Sequence, residues 1–199
     1  MNLYQIGKIL LTPAIRLAFH LRVFGTQNIP ESGGFVLCCN HRSVYDPCIL
    51  AAACERPIRF MAKSELFEDH GPLAKHLLLA LGAFSVRRDS GDAEAVKMAV
   101  SITQQEEVLG IFPQGKCIRD NSPFEPKAGA VLIARKAGVP IVPACIYCEG
   151  PLRLFRRVTV RFGSPVPFSQ VSRDGARASL KAASQKIAQQ VNLLLEEKY

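Results

Sequence analysis

Short apolar runs recur along the chain after residue 25, and each run ends at a polar residue, a glycine or a proline. Runs of this length bounded by turn-forming residues are typical of buried β-strands. They predict strands over residues 35–39, 58–62, 84–86, 108–112, 141–146 and 158–162. These strands supply the apolar layer around which a domain can fold.

Segments with helical spacing of apolar residues separate several of the predicted strands. They predict helices over residues 47–54, 92–107, 127–137 and 176–198. The last segment places Leu180, Ala183, Ile187, Val191 and Leu194 on one face, which is typical of a helix that covers a sheet. Because strands alternate with helices, we expect an α/β fold: a single domain over residues 25–199 with a mostly parallel central sheet flanked by helices.

Residues 1–24 form a separate amphipathic segment in this interpretation. Its apolar residues are interrupted by Lys8, Arg16 and Arg22, and Thr12-Pro13 resembles a helix cap followed by a first helical residue. We therefore expect a pair of short helices with a bend. Either this pair packs on the domain as ordinary amphipathic helices, or it lies in the interface of a bilayer. No apolar stretch reaches the roughly 20 residues of a membrane-spanning helix, and we expect no signal peptide.

The composition narrows the possible partners. A net charge of +8 in 199 residues indicates an anionic partner, for which both nucleic acid and anionic lipid qualify. Most of the seven cysteines lie inside apolar runs, as expected of free thiols in a reducing cytoplasm. Cys145 and Cys148 have a metal-like spacing, but a second such pair is missing, so we expect no metal site.

Polar residues with possible functions follow four of the predicted strands. Asn40-His41 follows the first, Lys63 the second, Arg87-Arg88 the third and Pro113-Gln114-Gly115-Lys116 the fourth. Ligands of open α/β sheets bind at the carboxyl ends of the strands. If the sheet is parallel, these groups converge on one rim.

His41 and Asp46 form the most specific pair at this rim. A five-residue step across a strand–helix loop can return the carboxylate to the imidazole, where it fixes the tautomer and leaves one ring nitrogen free as a base. Such a base could deprotonate an incoming hydroxyl. The alternative is that Asp46 only caps the following helix and His41 is a structural residue at a strand end. Lys63 could equally be a solvated lysine.

Several catalytic motifs are missing from the sequence. It contains no Gly-x-Ser-x-Gly, no P-loop and no Gly-x-Gly-x-x-Gly, and no cysteine lies in a recognisable nucleophile motif. The absence of these motifs argues against nucleotide chemistry. It favours direct attack assisted by a histidine base over a covalent acyl-enzyme.

The chain resembles the 1-acyl-sn-glycerol-3-phosphate (lysophosphatidic acid) acyltransferases over nearly its whole length. Residues 27–34 are similar to the segment with which their domain begins, and Asn40 to Pro47 resemble their first block, His-x-x-x-x-Asp. Residues 60–67 with Gly82 and Arg87 resemble the second block, 111–115 the third and 139–143 the fourth. The order of these blocks makes the resemblance far more specific than any single motif.

The resemblance implies a role for each of these residues. His41 would be the general base, oriented by Asp46, and Lys63 and Arg87 would hold the acceptor phosphate, with Gln114, Gly115 and Lys116 also in the binding site. The donor would be a fatty acyl thioester of coenzyme A or acyl carrier protein, and no cofactor is expected. The acceptor would be the sn-2 hydroxyl of 1-acyl-sn-glycerol-3-phosphate in an anionic membrane, giving phosphatidic acid for phospholipid biosynthesis. The enzyme would act on the cytoplasmic face of the cell membrane and bind no nucleic acid. Residues 25–199 would form the acyltransferase domain.

The third block departs from the pattern Phe-Pro-Glu-Gly-Thr-Arg. Gln114 stands in the acidic position, Lys116 follows the glycine, and Cys117 stands in the arginine position. Two alternatives therefore stay open: the same chemistry on another lysophospholipid or glycerol-phosphate acceptor, or a non-catalytic lipid-binding protein. The intact His41 and Asp46 speak against the second.

Overall fold

The apolar runs of the sequence form one seven-stranded sheet within the residues that the structure describes. The structure, a computed structural model, describes residues 3–63, 82–86, 92–167 and 177–196, together with positions 68, 71, 76, 78, 79 and 169. The strands are β1 Arg22–Phe24, β2 Phe35–Cys39, β3 Ile58–Lys63, β4 Ala83–Val86, β5 Val108–Ile111, β6 Ile141–Cys148 and β7 Val158–Phe162. All six predicted strands are confirmed, with ends shifted by up to two residues, whereas β1 was not predicted.

The strand order is β1-β7-β6-β2-β5-β3-β4. All neighbouring pairs are parallel except β6 and β7, which form an antiparallel hairpin. The carboxyl ends of β2, β3, β4 and β5 therefore lie at the same rim of the sheet. This topology confirms the mostly parallel sheet and brings together at that rim the ends of the four strands that polar residues follow in the sequence.

Helices cover both faces of the sheet. They are α1 Leu3–Ala18, α2 Asp46–Ala53, α3 Asp92–Gln104, α4 Gly129–Ala137 and α5 Arg177–Glu196. Alternate side chains of β2 point to opposite faces: Phe35, Leu37 and Cys39 pack in the cluster that includes α2, while Val36 and Cys38 pack in the cluster that includes α3, α4 and α5. By the same alternation, His41 leaves the sheet on the side of α1 and α2.

The predicted helices are present, but their ends differ. Helix α3 stops at Gln104 and not at residue 107, because Glu106 has a positive φ of 62° that ends the helical turn. Helix α4 begins at Gly129 and not at Lys127, whose N–H donates to the carbonyl of Pro113 instead. For α5, residues 176, 197 and 198 of the predicted helix lie outside the described residues.

The N-terminal segment forms one helix where a pair was predicted. Helix α1 runs through Pro13, and the end of the segment joins the sheet as β1. Contacts on both sides of Pro13 hold α1 along α2: Lys8 Nζ donates to the carbonyls of Cys54 and Glu55 at 2.6 Å, and Arg16 to that of Ala52. Cations are favourable at the carboxyl end of a helix, so these contacts stabilise both helices. Among the helices of the described residues, none combines the length and apolar character needed to cross a membrane.

Candidate active site

Asn40 fixes the point at which the chain leaves β2. Its side chain is buried, and it pairs with the backbone of Ile146 in β6 as a peptide group would. Asn40 Oδ1 accepts from the Ile146 N–H at 2.7 Å, and Nδ2 donates to the Ile146 carbonyl at 3.0 Å. The following residue, His41, therefore starts from a rigid position at the edge of the sheet.

Asp46 binds His41 and the loop between them. Its carboxylate is fully buried, and Oδ2 lies 2.7 Å from His41 Nδ1. The same oxygen accepts from the backbone N–H groups of Arg42 at 2.5 Å and Ser43 at 2.8 Å. Because a carboxylate can only accept, His41 donates from Nδ1, and its Nε2 presents a lone pair. This is the arrangement of a general base with an orienting carboxylate.

The alternative interpretation, in which Asp46 only caps α2, is contradicted by the structure. Asp46 is the first residue of the helix, and the cap position is held by Tyr45, whose side chain makes no capping hydrogen bond. The Asp46 carboxylate is instead directed back towards residues 41–43 of the loop. The carboxylate thus binds the histidine and its loop, and Pro47 lies in the first turn of the helix.

Besides Asp46, the side chains of Phe112 and Cys117 contact the His41 ring. The ring of Phe112 stacks on it with 4.2 Å between centroids and 17° between planes. The sulfur of Cys117 lies 3.1 Å from Nε2, the nitrogen opposite the one that binds Asp46. Since Nε2 carries the lone pair, the Cys117 thiol is the donor in this contact. The imidazole of His41 is therefore held by a carboxylate on one nitrogen and faces a thiol on the other.

The third block of the sequence holds the His41 backbone from two sides. The buried Gln114 side chain accepts from the His41 N–H through Oε1, and the Ile118 N–H donates to the His41 carbonyl at 2.7 Å. Between them Gly115 adopts a positive φ of 69°, and its N–H closes a turn on the Phe112 carbonyl. Glycine adopts this backbone conformation without steric cost, as expected for the turn. Gln114 thus makes a bond that needs an acceptor oxygen and no charge.

Arg42 connects the loop between β2 and α2 (residues 40–45, called the catalytic loop below) to the hairpin of β6 and β7. Its buried guanidinium donates to the carbonyls of Cys148 at 2.8 Å, Gly150 at 2.9 Å and Arg119 at 3.1 Å. Removal from water lowers the pKa of Arg42, but these carbonyl contacts compensate its charge where water cannot. The loop, the hairpin and the third block are therefore one hydrogen-bonded unit.

The structure brings five of the seven predicted site residues together and leaves two undescribed. His41, Asp46, Gln114, Gly115 and Lys116 lie at one rim, and Lys116 is exposed there. Lys63 is the last residue of β3, so its backbone lies at the same rim, but its side chain is outside the described part of the structure. Arg87 follows β4 and lies outside the described residues. The roles of Lys63 and Arg87 stay predictions.

Sequence reasoning missed three residues of the site: Phe112, Arg42 and Cys117. Phe112 and Arg42 belong to the recognised blocks, but only the fold shows that one stacks on His41 and the other bonds to the hairpin. Cys117 was noticed as a departure from the family pattern, and that departure was the available signal. Desolvation raises the pKa of its thiol, and the Asp46 carboxylate raises it further, so the thiol is neutral near pH 7.

Comparisons with known proteins show the family to which the chain belongs. A family model described as Acyltransferase matches residues 20–147. The 1-acyl-sn-glycerol-3-phosphate acyltransferase of Bacillus subtilis is 29% identical over 184 residues, which cover 87% of this chain and 89% of that protein. The protein of the same name from Borreliella burgdorferi is 29% identical over 127 residues, 63% of this chain and 50% of that protein.

A solved structure shares the fold. The crystal structure of PlsC, the 1-acyl-sn-glycerophosphate (LPA) acyltransferase from Thermotoga maritima, superposes with a TM-score of 0.72 at 20% identity and covers 99% of this chain and 79% of that one. The family model matches more than half of the chain and includes both His41 and Asp46. The chain belongs to the acyltransferase family.

Proposed function

We propose that this protein transfers a fatty acyl group from a thioester to the sn-2 hydroxyl of 1-acyl-sn-glycerol-3-phosphate, giving phosphatidic acid. The observation that carries the proposal is the pairing of His41 Nδ1 with the buried Asp46 at the carboxyl end of β2. The names of the Bacillus and Borreliella relatives supply the acceptor. The product links the activity to phospholipid biosynthesis.

In the proposed reaction, His41 Nε2 removes the proton of the acceptor hydroxyl. The Asp46 carboxylate stabilises the imidazolium that forms, while Phe112 and the backbone bonds of His41 keep the ring in place. The resulting alkoxide attacks the carbonyl carbon of the thioester, and the imidazolium returns the proton to the thiolate that leaves. A positioned base of this kind accelerates proton transfer by about 10²–10⁴-fold.

The acceptor phosphate binds to cations at the same rim in this proposal. Lys116 is exposed beside the Gly115 turn, and the Lys127 ammonium would lie 2.7 Å from a Cβ built on Gly115, so it covers the same turn. Together with the predicted Lys63 and Arg87, these side chains would neutralise a phosphate dianion. A phosphate bound there would bring the glycerol hydroxyl towards His41.

We further propose that the protein docks on an anionic bilayer through a surface made of α1 and the tip of the β6–β7 hairpin. On α1, Leu10, Pro13, Ala14 and Leu17 form an exposed stripe at helical spacing, and Leu10 and Leu17 are 70% and 71% exposed. Lys8 and Arg16 lie on the other side of the helix, bonded to α2. The apolar stripe is therefore the part of α1 that faces outward.

The hairpin tip continues this stripe. Leu154 and Phe155 are exposed, Phe155 at 72%, and the Phe155 N–H donates to the carbonyl of Ala18 at the end of α1. Three exposed arginines flank the tip: Arg153, Arg156 and Arg157. Apolar side chains surrounded by cations suit the interface of an anionic bilayer, where each cation contributes about 1 kcal/mol. We call these six apolar residues and three arginines the docking surface.

The donor and the location follow from the same chemistry. An acyl thioester of coenzyme A or acyl carrier protein supplies the activated carbonyl, and the reaction needs no cofactor. All seven cysteines of the chain are free, as thiols are in a reducing compartment. We therefore place the protein as a peripheral enzyme on the cytoplasmic face of the cell membrane.

A paired assay tests the proposed function. Wild type, His41→Ala and His20→Asn are given lysophosphatidic acid in detergent micelles with acyl-coenzyme A or acyl carrier protein donors, and phosphatidic acid is measured. His20 is an exposed histidine with a positive φ of 39°, a conformation that asparagine tolerates, so it is the matched control. We expect His41→Ala to lower the rate by about 10²–10⁴-fold and His20→Asn to leave it unchanged.

Two outcomes would contradict parts of this proposal. Wild type that is inert on lysophosphatidic acid with both donors, yet acylates another lysophospholipid or glycerol phosphate, would show that the acceptor is wrong. Wild type that binds lysolipid but acylates none of these acceptors would show a lipid-binding protein on this scaffold.

A further inference from the structure

A cavity of about 740 Å³ lies on the face of the sheet opposite the one from which His41 leaves. Val158 and Val160 of β7 pack in the cluster that includes α2, so the alternate residues Thr159 and Arg161 point to the other face. Both of these line the cavity, which is closed on one side by the end of α5. The cavity is therefore separate from the catalytic rim.

Neighbouring strands supply the floor of the cavity. Arg22 of β1 is paired with Thr159 of β7, and Thr159 is paired with Tyr147 of β6, so these three side chains form one row on the same face. Arg161 follows in the next row. It is buried, donates to the carbonyl of Leu194 at 3.1 Å and lies 5.5 Å from the centroid of the Tyr147 ring. The floor thus presents polar side chains in positions that the sheet fixes.

Three polar side chains of the cavity are left without partners. Thr159 is 8% exposed, and its hydroxyl has no hydrogen-bond partner among the described residues. The guanidinium groups of Arg22 and Arg157 form neither a hydrogen bond nor an ion pair within the described part of the chain. Buried polar groups are normally hydrogen-bonded. A buried hydroxyl with no partner, beside two unpaired arginines, indicates that a ligand completes their bonding.

The charges around the cavity favour an anion. Three arginines and two glutamates line it: Arg22, Arg157, Arg161, Glu149 and Glu196. Both glutamates are exposed, so water screens their charge, whereas Arg161 is 4% exposed and acts through a medium of lower dielectric constant. Guanidinium groups bind phosphate through two parallel N–H bonds. A phosphate group therefore suits this cavity better than a carboxylate-free or cationic ligand.

We propose that this cavity is a second anion-binding site, which holds the phosphate group of a ligand between Arg22, Arg157 and the hydroxyl of Thr159. The hydroxyl donates to one phosphate oxygen, and the two guanidinium groups neutralise the charge. The site is distinct from the acceptor phosphate site proposed beside the Gly115 turn. Its volume is in the range of pockets that enclose whole small molecules, so the phosphate belongs to a larger ligand.

The proposed reaction offers two sources of such a phosphate. The first is the nucleotide end of coenzyme A. Tyr147 lies near the carboxyl end of β6, and β7 is two strands from β2, roughly 10 Å at the spacing of strands, which the pantetheine arm can span. The second is a phospholipid headgroup, because Arg157 belongs both to the cavity and to the docking surface. The two sources rest on the proposed function, whereas phosphate binding itself does not.

Calorimetric titration with two phosphate probes tests the site. The probes are adenosine 3′,5′-bisphosphate, for the nucleotide end of coenzyme A, and monomeric dihexanoyl-phosphatidylglycerol, for a lipid headgroup. We expect wild type to bind at least one of them, and Arg22→Gln and Thr159→Val each to raise its Kd about tenfold or more. Thr159→Ser keeps the hydroxyl and should bind as wild type does. Lys136→Gln removes one exposed positive charge of α4 and is the matched control for net charge.

The probe that binds identifies the source of the phosphate. The second anion site is wrong if neither probe binds wild type, or if Arg22→Gln and Thr159→Val bind as tightly as wild type. It is also wrong if Lys116→Gln weakens binding and Arg22→Gln does not, because the phosphate then lies at the catalytic rim. Phosphatidic acid formation is measured on the same samples. Wild type that binds a probe through Arg22 and Thr159 but acylates no acceptor would contradict the proposed function and leave this site standing.

Discussion

At the scale of single residues, Asp46 contributes in two ways that a sequence motif does not separate. Its Oδ2 orients His41, and it also accepts from the backbone of Arg42 and Ser43, so it shapes the loop that carries the base. Asp46→Asn keeps the volume but loses the charge that stabilises the imidazolium. We expect phosphatidic acid formation to fall by about 10²-fold or more, mainly in kcat.

The same substitution should also lower stability. The amide oxygen can take the place of Oδ2 for the three donors, but the amide NH2 then lies in the buried place of Oδ1, which has no hydrogen-bond partner among the described residues. An unsatisfied buried group costs about 1–3 kcal/mol. Urea unfolding and product formation are measured on Asp46→Asn and on Asp120→Asn, whose exposed carboxylate lies at the edge of the third block. An Asp46→Asn enzyme with the wild-type rate would contradict the assignment of Asp46 as the orienting group.

The contact between His41 and Asp46 was predictable because their spacing reflects a loop that returns to its own start. The position of Cys117 was not, since it depends on the Gly115 turn and on the bond from Ile118 to the His41 carbonyl, which join segments far apart in sequence. The contact of Gln114 also joins segments that are far apart in sequence. From the sequence alone, Gln114 indicates only that the acidic charge of the family pattern is missing at this position. In the fold, its oxygen binds a backbone N–H, for which an amide suffices.

At the scale of elements, the sequence predicted those strands and helices whose own residues carry a clear pattern of apolar and polar positions. Buried strands such as β2 and β5 are short apolar runs with sharp ends, so they were recovered almost residue for residue. Strand β1 was missed because its three residues are a partly exposed segment, which among the described strands pairs with β7 alone. The predicted break at Pro13 failed because bonds from Lys8 and Arg16 to α2 hold α1 together, and such tertiary contacts leave no local signal.

The coupling between the catalytic loop and the β6–β7 hairpin gives a prediction at this scale. Arg42 bonds to three carbonyls with one planar guanidinium, which the single ammonium of lysine cannot reproduce. We expect Arg42→Lys to lower the free energy of unfolding by about 1–3 kcal/mol, because a single ammonium cannot keep all three hydrogen bonds of this buried, charged side chain. Urea unfolding measures this against Arg153→Lys, a substitution at the exposed hairpin tip. Equal stability of the two variants would show that the Arg42 bonds do not hold the loop.

At the scale of the whole molecule, the docking surface and the active site lie on the same side of the sheet. Phe19, which follows α1, packs on Tyr45 of the catalytic loop with 5.5 Å between ring centroids, and Val44 of that loop is exposed. Arg42 joins this loop to the hairpin. A protein that rests on a bilayer through α1 and the hairpin tip would therefore hold His41 close to the lipid surface, where lysolipid and product reside.

This arrangement predicts that docking residues matter only when the acceptor is in a membrane. Leu17→Ser and Phe155→Ser should each weaken binding to anionic vesicles by about tenfold or more, since burial of such a side chain contributes about 1.5–3 kcal/mol. Both should slow acylation of vesicle-borne lysophosphatidic acid and leave acylation of a short-chain, water-soluble acceptor at the wild-type rate. Met98→Ser, on the other face of the sheet in α3, is the matched exposed control and should change neither. Equal losses on both acceptors would mean that Leu17 and Phe155 act on the catalytic site itself, whereas unchanged vesicle binding would show that the membrane contacts a different surface.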